Sequence, residues 1–168
     1  MGERALLVRP VAGGAGQLYY SQWAGSTEQI QAVLGRQRES RELLQRQDWV
    51  YRGEESRGGV VESLDYLSVS ALYVATPESV TVLLPVWLGI GPGADRSPPV
   101  PSWAGALVVV GTPRQVRWLR AGLQWLKTVL GRAIDAAAIS TVAAMRLLVL
   151  SLLPFRLWIQ EDVWALLG

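Results

Sequence analysis

ALVVVGTPRQVRWLRAGLQWLKTVLGRAI, residues 106–134, holds the turning point of the chain. Its first five residues form an unbroken apolar run rich in β-branched valine, the pattern of a strand buried on both faces. Gly111 and Pro113 then punctuate the sequence. From Val116 onward the spacing changes. Val116, Leu119, Leu123, Leu126, Leu130 and Ile134 recur every three or four residues and make one stripe of an amphipathic helix. Arg117, Arg120, Gln124, Lys127 and Thr128 lie opposite the stripe, with Arg114 and Arg132 at its margin. Trp118 and Trp125 are seven apart, so they stand one above the other on the boundary. A sheet before residue 112 and helices after it is the expected division.

Upstream, residues 5–9 and 17–23 read as strands. Gly13-Gly14-Ala15-Gly16 between them predicts a hairpin turn. Ser26, with Gln29 three positions on, is a capping box for a helix that turns Ile30, Val33 and Leu34 inward. Gly35 breaks that helix, and Leu43 and Leu44 resume its apolar face. Residues 53–59 read as a charged loop. A short helix over 60–69 would carry Val61, Leu64 and Leu67 inward. Residues 71–75 form a strand, 76–79 a turn, and 80–84 a strand running on through 86–88. Pro85 makes this last strand an edge or marks a bulge. Residues 89–101 form a loop. Trp23 and Trp87 fall in predicted strands and belong to the core.

Downstream, residues 136–155 are almost wholly apolar, interrupted by Arg146. A membrane span needs roughly 20 apolar residues, and a central arginine costs about 2.5–3.5 kcal/mol on insertion. Much of the segment is Ala, Ser and Thr, which insert weakly. A buried helix ending near Pro154 is the better reading. Phe155, Leu157, Trp158, Val163, Trp164 and Leu166 would then close the core or an oligomer interface. The expected fold is one α+β domain over 1–168. It is a two-layer sandwich with a mainly antiparallel five-stranded sheet in ββαβββ order, its C-terminal helices packed on one face. Residues 1–112 are mostly sheet with one or two helices, and 113–168 form the helical part.

The 168 residues include no histidine and no cysteine but eight tryptophans. That composition excludes a Ser-His-Asp triad, a histidine-ligated metal, a thiolate nucleophile and disulfides. A Ser–Lys dyad would need Lys127, the only lysine, which the helical pattern places on a solvated face. Glu54 and Glu55, or Glu62 with Asp65 at i, i+3, could serve glycoside hydrolysis or a hard metal, but such pairs arise often by chance. Gly13 to Gly16 lacks the lysine of a phosphate loop, and Gly89-Ile90-Gly91-Pro92-Gly93 misses dinucleotide spacing. No catalytic, cofactor or metal site is expected. Glu3 lies too early for a signal peptide and Leu6 does not fit myristoylation, so a cytoplasmic location is expected.

Charge is distributed unevenly. From residue 48 to 95, Asp48, Glu54, Glu55, Glu62, Asp65, Glu78 and Asp95 face only Arg52 and Arg57. From 96 to 134, Arg96, Arg114, Arg117, Arg120, Lys127 and Arg132 meet no acid. Such asymmetry suits an acidic partner surface. Arginine beside tryptophan is the commonest hot-spot composition of protein interfaces. The leading expectation is therefore a small non-catalytic binding or assembly protein that works by protein–protein contacts, self-association included. Its partner-binding residues would be Arg114, Arg117, Trp118, Arg120, Trp125, Lys127, Arg132, Trp158 and Trp164. The alternatives are a nucleic-acid module built on helix 114–132, a peripheral membrane protein, and a carboxylate-dependent enzyme.

Residues 1–8, with Tyr20-Ser21-Gln22-Trp23, resemble an uncharacterised family of small proteins from halophilic archaea. So do Ala71-Leu72-Tyr73-Val74, Val86-Trp87-Leu88-Gly89 and the helix over 118–129. The resemblance spans most of the first 135 residues. It implies no activity and no site. The chain departs from it in lacking a strongly acidic composition and in carrying Gln22 where the family favours histidine.

Overall fold

The computed structural model describes residues 3–11, 13–36, 38–90 and 100–159. The chain opens as the predicted hairpin. β1 (Arg4–Pro10) and β2 (Ala15–Ser21) pair antiparallel, with Ala5 opposite Ser21 and Pro10 opposite Gly16. Gly13 and Gly14 turn the chain at φ of 91° and 84°, backbone that glycine adopts without a Cβ clash. α1 (Thr27–Gly35) starts where the Ser26 hydroxyl accepts from the Gln29 N–H, and it buries Ile30, Val33 and Leu34. α2 (Ser40–Gln45) adds Leu44 to the same face. β3 (Val50–Ser56) returns antiparallel to β2 and leads into α3 (Arg57–Glu62). β4 (Val69–Ala75) runs parallel to β1. β5 (Val80–Trp87) and β6 (Gly105–Val110) continue from β4 as an antiparallel meander. Then come α4 (Pro113–Asp135), α5 (Thr141–Leu152) and β7 (Leu157–Ile159), which pairs antiparallel with β6.

The architecture is α+β, but the sheet is mixed and has seven strands, in the order β3-β2-β1-β4-β5-β6-β7. This corrects the expectation of five mainly antiparallel strands. β3 occupies most of what reads as a charged loop. An edge strand exposed along nearly its whole length needs no apolar residues, so its sequence carries no strand signature. β7 is three residues long, too short for a period-2 pattern to show. The parallel β1–β4 pair closes a crossover that contains α1, α2, β3 and α3.

Three local expectations also change. β5 is central, flanked by β4 and β6, and not an edge. Pro85 is tolerated there because the β4 ladder stops at Leu83, leaving no pairing on that side for its missing N–H to interrupt. The helix expected over 60–69 instead ends at Glu62, leaving Leu64 buried and Leu67 60% exposed. Trp23 is 65% exposed, because the chain leaves the sheet at Ser21.

The sheet is covered on both faces. Ala5, Leu7, Ala71, Tyr73, Val82, Leu84, Ala106 and Val108 point to one face and pack under α1, α2, α4 and α5. The C-terminal helices thus share one face, as expected. Alternate residues Leu72, Leu83 and Leu107 point to the other, where Val60, Leu64 and Tyr66 from α3 and the turn after it cover them. Tyr73 ties the first layer together, its hydroxyl donating to the Ala24 carbonyl at 2.7 Å.

Candidate functional site

α4 is the element that organises the surface. Thr112 caps it by accepting from the Gln115 N–H, and the Gln115 side chain accepts from the Thr112 N–H in return. Pro113 sits in the first turn, where its missing donor costs nothing. Val116, Leu119, Leu123 and Leu130 are buried against the sheet, with Leu126 and Ile134 packed at the rim. The stripe read from the sequence is therefore the inner face. Each such aliphatic side chain removed from water contributes roughly 1.5–3 kcal/mol.

The outward side of α4 carries Arg114, Arg117 and Arg132, all exposed. Trp118 is 49% exposed and Trp125 68%. Trp118 leans on Phe155, with ring centroids 5.4 Å apart. Beside it, α5 buries Ala144, Met145, Leu148, Val149 and Leu152 and turns Val142, Leu147 and Leu150 to solvent, followed by exposed Leu153. Among the described residues, seven of the eleven exposed large hydrophobic side chains lie on this α4–α5 surface. α5 has only 12 residues, and among the described residues no helix is long and apolar enough to cross a membrane.

The remaining predicted residues separate from this surface. Arg120 and Lys127 do not lie on a solvated face. Arg120 donates to the Thr27 hydroxyl and, at 3.2 Å, to the Gly25 carbonyl, which pins α4 to the start of α1. Lys127 bends under the helix and donates to the Trp87 carbonyl, its Nζ 5.1 Å from the Trp87 ring centroid. The helical wheel placed both cations correctly in angle. It could not show that β5 and the loop before α1 reach up to meet them. Trp158 lies on the opposite sheet face, packed with the cluster around Leu107. Trp164 is outside the described residues. Glu54 and Glu55 stand on the β3 edge, and Glu62 and Asp65 are exposed. No group of three or more acids that could hold a metal occurs among the described residues.

Arg120 and Lys127 both line a cleft of about 770 Å³ between α4 and the end of β5. Its walls are Leu119, Leu123, Pro85, Val86 and Trp87, with Tyr66 and Leu67 at one end and Gln124, Thr128, Arg132 and Asp135 on the helix side. Burial pushes the Lys127 amine down from 10.5 to about 8. Burial also pushes the Tyr66 hydroxyl up to about 12, and this hydroxyl is buried without a hydrogen-bond partner. Sequence reasoning missed the cleft because it joins residues from three separated segments. Its one advance signal was a single lysine among fifteen arginines. No family model matches the chain, and no curated protein or solved structure matches it.

Proposed function

We propose that the protein is a small binding or assembly protein that acts through protein–protein contacts made by the outward face of α4 and α5. The observation that carries this reading is that Trp118, Trp125, Val129, Val142, Leu147, Leu150 and Leu153 are all exposed on two packed helices, α4 and α5, and the residue after them, with Arg114, Arg117, Arg132 and Arg146 exposed on the same helices. Asp135 is the only acid from residue 113 to 159. Large apolar anchors ringed by cations suit a partner surface that is apolar at its centre and acidic at its rim. A second copy of the chain is the first occupant to test. Light scattering at micromolar concentration is expected to give a mass above that of one chain. The double variant W125S/L150S is expected to return it to the monomer. A monomeric wild-type protein would sink self-association and leave a heterologous acidic partner.

Arg114 and Arg117 beside Trp118 also support a nucleic-acid reading, though Arg120 and Lys127 face away from it. That reading requires affinity for single strands that falls steeply with salt, with a shallower slope in Arg117→Ala. Binding insensitive to salt would remove it.

A further inference from the structure

The cleft beneath α4 shares Arg132 with the outward surface but carries its own chemistry. Fifteen of the sixteen basic residues are arginine, which stays protonated in proteins, and the sixteenth is Lys127. The one side-chain cation that can release its proton under mild conditions is thus recessed in a cleft of about 770 Å³. Its amine rests over the Trp87 ring and donates to a main-chain carbonyl. The charged and titratable groups that share its cleft are Arg120 and Arg132 on α4, Asp135 at the helix end and Tyr66 before β4. Tyr66 is 4% exposed, and its hydroxyl has no hydrogen-bond partner. The apolar walls of the cleft leave room for a small organic molecule.

We propose that this cleft binds a small carbonyl compound, an aldehyde or ketone with an apolar body, and that Lys127 holds it as an imine. The neutral Nζ attacks the carbonyl carbon, and a C–N bond forms as the C=O π pair moves to oxygen. A proton passes from nitrogen to that oxygen, giving a carbinolamine. The remaining N–H proton then passes to the hydroxyl, the C–O bond breaks, water leaves, and the nitrogen electron pair forms the C=N bond. One amine and one carbonyl give one imine and one water, with no oxidant or reductant. Desolvation favours the first step because it keeps a larger share of the amine neutral near pH 8 than an exposed lysine would have.

The test uses 4-formylbenzoate as probe, with cyanoborohydride to fix any imine, followed by mass spectrometry. The chain has two kinds of primary amine, Lys127 and the α-amino group, so the second serves as an internal reference. The proposal expects a single adduct on Lys127 that saturates with probe concentration. Its rate should rise through pH 8 and fall by an order of magnitude or more in denaturant, where the amine returns to its ordinary range. Lys127→Arg should keep the cation and lose the adduct, and circular dichroism confirms its fold. Labelling of Lys127 that never saturates, or that is no faster folded than unfolded, overturns the proposal. So does a probe that shifts the melting temperature but leaves no reduced adduct on Lys127.

Discussion

The two sides of α4 use the same residue types differently. On the cleft side, Arg120 and Lys127 are drawn against the protein, each donating to a main-chain carbonyl, and Trp87 is packed between strand and lysine. On the outward side, Arg114 and Arg117 stand exposed on the same helix as exposed Trp118 and Trp125. One helix thus carries basic and aromatic residues as internal structure on one flank and as free surface on the other. The difference lies in what the rest of the chain brings near. β5 and the loop before α1 reach one flank, while Phe155 leans on Trp118 at the other. Composition alone therefore cannot assign a role to an arginine or a tryptophan.

The comparison can be broken most forcefully at the stripe beneath both sides. Leu119 is 1% exposed, and Leu119→Ala is expected to lower unfolding free energy by about 2–5 kcal/mol in denaturant titration. The cleft side should reveal itself through pH. The Lys127 pKa is depressed to about 8 on folding, so the unfolded chain holds the proton more tightly. Stability should then rise between pH 8 and about 10, by roughly 2–3 kcal/mol, and Lys127→Met should abolish the rise. Tyr66 and Tyr73 act in the opposite direction. Burial raises both, so the unfolded chain ionises them first and stability should fall above pH 10. Removing the shared cap by Thr112→Ala is expected to cost about 1 kcal/mol, measured as a change in denaturation midpoint. The outward side should respond least in stability. Trp125→Ser should change unfolding free energy by less than about 0.5 kcal/mol while weakening association in light scattering.

Where a local signal was strong, the sequence predicted the structure closely. The β1–β2 hairpin, the Ser26 cap, buried β6 and the inner stripe of α4 all follow from turn glycines, a capping serine or apolar periodicity. β3 and β7 were not legible, because one is an exposed charged edge and the other is too short to show a pattern. The candidate residues divided along the same line. Exposure of Trp118 and Trp125 at the edge of the stripe was readable from helical angle. The capture of Lys127 by Trp87 was not, because it depends on where residues forty positions apart meet in space. Tyr66 gave no signal at all, since its isolation comes from burial against Gly105, whose missing side chain makes room for the ring.

The lone parallel pairing has a kinetic consequence. The β4–β5–β6 meander can assemble from near neighbours, and β1–β2 closes across a two-glycine turn. Within the sheet the two halves join where Ala5 aligns with Ala71 and Leu7 with Tyr73, residues more than sixty positions apart. Closing so long a loop must precede any reward from that contact, which makes the β1–β4 seam the slow event in folding. Until it closes, Leu7 and Tyr73 both remain wet, and the chain is two half-sheets in search of a common centre.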